Sequence, residues 1–410
     1  MDRSGNQSKS KSKSMEGRCA ISRCSQLELK TRKNETTTEE CGFWSLPDDL
    51  IVDCLAKLSK LDLVALAMAS KRHRRAPKSH DLRFLRYRRG CVHPYVYVYM
   101  HMYPDPSPRW FVIHPVQRRL KRLNMDYYLD PAPVEGSCFV RTDWGIYVIG
   151  GLINGKPTSE VMFFDSTDHT VCRITPMRMV RSGASASCLM GESKIYVFGG
   201  CSDSADSSNW AEVYDLATST WEFLSVSAPK MPLKIQQSVV LDDKKHVYAV
   251  GEDGQIFNFS VTECKFEAAE DGRSESDVAN KNDWLMTDEA LFCRGIGGRI
   301  LWRLPFNLDW NEVKGLEELQ QQHIIKLCIC NHERMAIFWE ARPQGPDQKI
   351  LELWYAEISF QPRMDGGVWD LWGNIEWSGA VLSSDILDSS SSSSSSSRPL
   401  NLLYAVSLLV

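Results

Sequence analysis

Four clusters in the 410-residue sequence carry residue types that could do chemistry. The first is Gly150-Gly151-Leu152-Ile153-Asn154-Gly155-Lys156-Pro157, which has the G-x-x-x-x-G-K spacing of a phosphate cradle after an apolar strand. Such a cradle needs Ser or Thr after the lysine, to reach magnesium, and then a helix. Pro157 has no hydroxyl, and the next segment reads as a strand. The second, Gly295-Ile296-Gly297-Gly298, lacks dinucleotide-binding spacing and reads as a hairpin turn. In the third, His332-Glu333-Arg334-Met335-Ala336, the second histidine of a zinc H-E-x-x-H motif is missing. The fourth, Cys328, Cys330 and His332, could supply three metal ligands. Strand alternation puts the two cysteines on one face, where the expectation is that they fill core space.

Composition narrows what must position such residues. Hydrophobic residues make up 43% and aromatic residues 10%, which fits a well-cored globular chain of about two units. A net charge of -4 argues against a dedicated nucleic-acid binder. Residues 1–40 are polar and Ser/Lys-rich; they read as disordered and without a secretory apolar core. No apolar run reaches the ~18 residues that cross a bilayer. The 13 cysteines show no repeated metal spacing, and several sit in apolar strands, which implies a reducing compartment, cytoplasm or nucleus.

Residues 44–75 read WSLPDDLIVDCLAKLSKLDLVALAMASKRHRR. Leu46, Leu50, Ile51, Cys54, Leu55 and Leu58 recur at helical spacing, and Ser45 with Asp48 has the form of a capping box ahead of Pro47. A second helix from about Asp62 is apolar nearly all round through Leu63, Val64, Leu66, Ala67 and Met68. About 30 residues cannot bury two such helices, so the segment calls for a partner. Pro77 ends this second helix by Ala76. Lys71 to Arg89 carries nine Lys/Arg and one acid, with Leu82, Phe84, Leu85 and Tyr87 interleaved at helical spacing. That reads as a short amphipathic helix packed on the preceding helices or on the next domain, rather than a nucleic-acid site. Arg118, Arg119, Lys121 and Arg122 read as a solvated loop.

The segment 44–75 resembles the F-box, through Leu46-Pro47-Asp48-Asp49-Leu50-Ile51, Cys54-Leu55, Leu58 and the closing Ala69-Ser70-Lys71-Arg72. The chain departs from that pattern after Ser-Lys-Arg, where the usual aromatic residue is replaced by His73-Arg74-Arg75-Ala76-Pro77. The resemblance implies docking onto the Skp-type adaptor of a cullin-based SCF ubiquitin ligase. The expected adaptor-binding residues are Leu46, Pro47, Leu50, Ile51, Leu55, Leu58, Leu63 and Leu66.

From about residue 91 to 382 the sequence repeats. IYVIGG, KIYVFGG and HVYAVG close at Gly151, Gly200 and Gly251, a period of about 50. Each glycine step is followed by a second strand, as in EVMFFD and AEVYD, and then a third, as in TVCRI and TWEFL. A small apolar strand opens each unit, giving four strands per period. The pattern resembles kelch repeats, clearest at 138–182, 184–230 and 236–270, with Trp221 placed between blades. It implies an all-β propeller of about six blades, beginning near 93–113. F-box plus degenerate kelch repeats is an arrangement abundant in plants.

The expected organisation is therefore a disordered segment 1–40, an F-box and following helix 41–90, a propeller 91–382 and a Ser-rich low-complexity tail 383–410. The tail includes nine serines, Ser389–Ser397, and an apolar end, NLLYAVSLLV, that the repeat does not explain. The resemblance implies a non-catalytic receptor with no cofactor, whose propeller holds a protein marked for ubiquitination. Two alternatives remain open: a kelch-propeller metalloenzyme, such as a copper oxidase or an iron-dependent specifier, and an adaptor-bound scaffold that degrades nothing.

Overall fold

The structure is a computed structural model. It describes residues 42–409 apart from 59–61, 64–65, 67–78, 124–129, 202–207, 227–234, 269–281, 342–350, 384–399 and loop segments of one to four residues elsewhere. Among the described residues, two helices of nine residues, α1 (Asp48–Ala56) and α2 (His80–Arg88), precede 26 strands. The strands form six four-stranded antiparallel sheets arranged as a β-propeller.

Blade I holds β1 (Pro94–Met102), β2 (Arg109–Ile113) and β3 (Leu120–Arg122). Blade II holds β4 (Cys138–Arg141), β5 (Gly145–Ile149), β8 (Val161–Asp165) and β9 (Thr170–Arg173), with a small ribbon of β6 (Leu152–Ile153) and β7 (Lys156–Pro157) at one turn. Blade III is β10 (Ser185–Cys188), β11 (Lys194–Phe198), β12 (Ala211–Asp215) and β13 (Thr220–Leu224). Blade IV is β14 (Ile235–Val240), β15 (His246–Gly251), β16 (Ile256–Ser260) and β17 (Lys265–Ala268). Blade V is β18 (Asn282–Met286), β19 (Leu291–Arg294), β20 (Ile300–Arg303) and the short β21 (Asn311–Glu312). Blade VI is β22 (His323–Asn331), β23 (Arg334–Ala341), β24 (Glu352–Asp365) and β25 (Val368–Ser383).

The fourth strand of blade I comes from the other end of the chain. Strand β26 (Leu400–Leu409) pairs antiparallel with β1, from Pro94↔Leu409 to Met102↔Leu400. This corrects the expected tail at 383–410: residues 400–409 are the hub strand that closes the ring. The apolar run NLLYAVSLLV, with Leu400 just before it, is explained by burial of Leu400, Leu402, Ala405, Val406 and Leu408 against blades I, II and VI. The solvated loop expected at Arg118–Arg122 is corrected as well. Leu120–Arg122 is the outer strand β3, and Arg118 lies 4.9 Å over the Trp377 ring and 3.6 Å from the Glu357 carboxylate.

The repeat produces this packing because each middle strand is apolar on both faces, as a strand covered on two sides must be. Ile146, Tyr147, Val148 and Ile149 in β5 are all buried, and Tyr147 and Ile149 meet Ile195, Val197, Tyr214 and Trp221 of blade III. Trp221 packs between blades II and III, and its indole N–H donates to the Thr175 carbonyl at 2.8 Å. The glycine pairs end the middle strands in left-handed conformation, with φ of 62° at Gly150 and 105° at Gly151. A Cβ on Gly151 would lie 2.8 Å from the Glu135 carbonyl oxygen, so the backbones approach too closely for any other residue.

Arg181 and Glu212, both fully buried, lock blade III to blade II. All five guanidinium N–H groups are used: two reach the Glu212 carboxylate at 3.1 and 2.9 Å, and three reach the carbonyls of Gly199, Trp210 and Asn209 at 2.7, 2.7 and 2.9 Å. Glu212 also accepts from the backbone N–H groups of Arg178 and Met179.

Two predictions follow from closure and locking. Removing residues 400–410 strips β1 of its hub partner, so the truncated protein should lose its single cooperative thermal transition and aggregate; a soluble, cooperative melt would contradict the closure. Arg181→Met leaves Glu212 charged and buried, and breaking such a pair costs roughly 3–5 kcal/mol. The urea midpoint should fall accordingly at unchanged m, and a wild-type midpoint would refute the role.

Candidate functional site: the N-terminal helical face

Helix α1 begins at Asp48, with Pro47 in the preceding extended position (φ -53°, ψ 143°). The capping box expected from Ser45 is not formed. Ser45 instead donates to the Gly42 carbonyl at 2.6 Å within a 3-10 turn, Gly42–Ser45, and α1 has no side-chain cap. Asp48 and Asp49 in the first turn still complement the positive helix end.

Of the eight expected docking residues, Leu50, Ile51 and Leu55 lie on this short helix, Leu46 and Pro47 just before it, and Leu58, Leu63 and Leu66 beyond its end; they divide into an inward and an outward set. Ile51 and Leu55 point inward with Ala56 and pack with Leu63 and Leu82, bordered by Phe43, Val52, Leu58, Leu66 and Leu85. Leu46 and Pro47 are exposed, and so is Leu50, 50% open to solvent, whereas Leu55 is only 2% open. Cys54 continues the outer stripe at i+4 from Leu50. Ile51, Leu55 and Leu63 therefore build the chain's own core, and Leu46, Pro47 and Leu50 form the outward apolar face. Asp62, Leu63 and Leu66 are helical; Val64, Ala67, Met68, the closing Ala69-Ser70-Lys71-Arg72 and Pro77 lie outside the described residues.

Helix α2 packs its Leu82 and Leu85 on this core, as the amphipathic reading of Lys71–Arg89 expects. Two of its cations are used within the chain. Arg86 is 5% exposed; it donates to the Ala56 carbonyl at 3.5 Å, to the Leu58 carbonyl, and to the Cys91 carbonyl at 2.8 Å. Burial pushes its guanidinium below its ordinary range. Arg89 pairs with Asp53, which Lys57 also approaches at 3.3 Å, and hydrogen bonds from these two cations hold the Asp53 carboxyl below its usual range. The sequence showed these residues only as part of a basic run; nothing in their spacing marks Arg86 as inward except its position between Leu82 and Leu85 on one side and Arg89 on the other.

The decoy clusters are structural. The Gly150 and Gly151 N–H groups that would cradle phosphate donate to the carbonyls of Glu160 and Arg181 at 2.9 and 2.8 Å. Lys156 lies in the β6–β7 ribbon. Gly297 forms a left-handed turn (φ 69°) between β19 and β20. Cys328 is buried, and Cys330 packs against the same cluster of Val98, Phe338 and Tyr355; the hydrogen bond with the neighbouring Cys330 thiol, and then burial, push the Cys328 thiol well up. His332 lies outside the described residues. Among the described residues, no group of three or more His, Cys, Asp or Glu is placed to hold a metal ion.

The sequence model of the FKB95 kelch-repeats domain matches residues 115–382. The chain belongs to the F-box/kelch-repeat proteins. A putative F-box/kelch-repeat protein of Arabidopsis thaliana is 28% identical over 375 residues, covering 86% of this chain and 92% of the relative. A second putative F-box/kelch-repeat protein of that plant is 30% identical over 360 residues, covering 85% and 86%. A third, an F-box/kelch-repeat protein of the same plant, is 28% identical over 368 residues, covering 83% and 92%. These relatives, all from a plant, match this chain over most of its length. Among the described residues no helix is long and apolar enough to cross a membrane.

The division of α1 into two stripes is testable without any partner. Leu55→Asp buries an unpaired charge and forfeits roughly 1.5–3 kcal/mol of apolar burial, so hydrogen exchange across α1 and α2 should rise to that of open chain. Leu50→Asp changes a solvent-exposed position and should leave exchange in both helices at wild-type rates. Equal effects of the two substitutions would contradict the assignment.

Proposed function

We propose that the chain is the substrate-recognition subunit of an SCF-type ubiquitin ligase. The observation that carries this reading is the outward apolar face of Leu46, Pro47 and Leu50, at the start of a helix whose opposite side is already buried. Exposed leucines fixed by a packed core are suited to burial on a second protein. The partner is a Skp-type adaptor, with the cullin beyond it. Ile51, Leu55 and Leu63 support this face from within, and Leu58 and Leu66 border that inner core.

The topology supports a division of labour. Helix α2 ends at Arg88 and β1 begins at Pro94, so the helical segment joins the propeller at the end of blade I where β1 starts. Antiparallel four-stranded blades put the connections between blades, and those between second and third strands, on the opposite end. The described residues at that end include 130–137, 199–201 and 208–210. A protein target gripped there lies across the ring from the adaptor. Loop surfaces carried on a rigid scaffold are where recognition is built.

The mechanism is positioning rather than bond making by this chain. The adaptor and cullin bring a charged ubiquitin-conjugating enzyme near, and the propeller raises the local concentration of a target lysine. No nucleic acid or membrane enters this reading; of the basic run, Arg86 and Arg89 have internal partners. The cytoplasm or nucleus is the corresponding site of action; among the described residues no two cysteines are bonded.

The experiment is reconstitution. The isolated chain should transfer no ubiquitin. With adaptor, cullin, RING subunit and conjugating enzyme it should promote ubiquitin chains on itself or on a bound protein. Leu50→Asp should abolish adaptor co-purification and this activity while the propeller melts as wild type; Cys328→Ser and Lys156→Ala should leave both unchanged. Wild-type adaptor yield with Leu50→Asp, or small-molecule turnover by the isolated chain that chelation abolishes, would sink the proposal.

A further inference from the structure

Arg86 sits where three parts of the chain meet. Its guanidinium reaches the Ala56 and Leu58 carbonyls at the end of α1 and the Cys91 carbonyl just before β1. The last carbonyls of a helix have no partner within it and form the negative end of its dipole, so a buried cation there satisfies both needs. In β1, burial pushes the Tyr95 phenol up, and the Arg86 charge pulls it back. One side chain thus bonds the end of the helix bearing the outward stripe, lies within the helix that follows, and bonds the connector into blade I. It is 5% exposed, so water does not replace these bonds. By contrast, the second tie between the helices, Arg89 to Asp53, is solvent-exposed, where such pairs are worth little.

We infer that Arg86 is a positioning residue: it fixes the orientation of the Leu46–Leu50 face relative to the propeller, and thereby decides which lysines the ligase reaches. The inference rests on the adaptor-docking reading for its consequence, but not for its geometry. If the transfer mechanism is positioning, a loose joint between docking face and propeller would spread ubiquitin over many lysines instead of directing it to a few. A guanidinium is suited to this joint because its planar fork reaches separate carbonyls at once; an ammonium is a point donor.

Two measurements on the full chain test the inference. Fluorophores placed as unnatural amino acids at Asp49 on α1 and Ser378 on β25 report the joint without any partner. The wild-type chain should give a single narrow distance distribution, Arg86→Leu a broad one, and Arg86→Lys an intermediate one; Arg89→Gln should leave it narrow. In the reconstituted ligase, Arg86→Leu should keep wild-type adaptor affinity and propeller melting temperature, yet spread self-modification over more lysines when mapped by mass spectrometry. If Arg86→Leu loses α1 by hydrogen exchange, Arg86→Lys carries the test. A wild-type distance width in both Arg86 variants, or an unchanged lysine pattern with a broadened joint, would overturn the inference. Failure of the wild-type chain to bind adaptor would instead overturn the docking reading and leave the distance measurement to decide the joint.

Discussion

Pairing of β26 with β1 is the constraint on which the rest of this structure depends. Each blade buries its faces only against its two neighbours, so an open ring would leave two blades half covered. The register from Pro94↔Leu409 to Met102↔Leu400 ties the ring shut by main-chain bonds between distant parts of the sequence. Such a contact orders a long loop of chain before it gains anything, which favours all-or-none formation. Once made, it lets Tyr97, Val406 and Leu408 join the core with Ile146 and Phe164 of blade II, and Val98 and Ala405 join Phe338 of blade VI.

Closure alone does not fix how adjacent blades sit. Where a middle strand ends in two glycines, the turn leaves carbonyls pointing into the joint, and Arg181 gathers three of them together with Glu212. Blade VI uses a different device. Its last two strands are the longest in the chain, and they lean on blade V, whose outer strand β21 has only two residues. Phe360 stacks on Phe292 with ring centres 5.0 Å apart, and Lys314 exchanges main-chain bonds with Leu371 and Gly373. The neighbour thus supplies cover that a longer strand in blade V would have given itself.

Blades II to IV were legible because their strands alternate, their glycines fall at one period, and their aromatics follow at fixed offsets. Blades V and VI were legible only as paired strands, since the short β21 and the long β24–β25 pair break the period while keeping the fold. The hub strand β26 escaped notice for a physical reason: an apolar run after nine serines carries no local sign of a partner so far away in sequence. At the N-terminal face, spacing placed Leu46, Leu50, Ile51 and Leu55 on one helix but could not divide them. Both stripes are apolar, and only the packing of Leu63 and Leu82 determines which one turns inward.

The same reasoning explains why arginine recurs at the joints. Arg181 and Arg86 both stand where a regular element stops and its carbonyls lose their partners: a glycine turn in one case, a helix end in the other. In each, a planar cation with several donors replaces a layer of packing that short elements cannot provide. Helix α1 has nine residues and buries only Ile51, Leu55 and Ala56, too little apolar surface to set its own angle on a propeller. On the function proposed above, which holds two partners at a fixed separation, that angle cannot be left free. Polar bonds with defined directions set it where hydrophobic contact, which has no direction, does not.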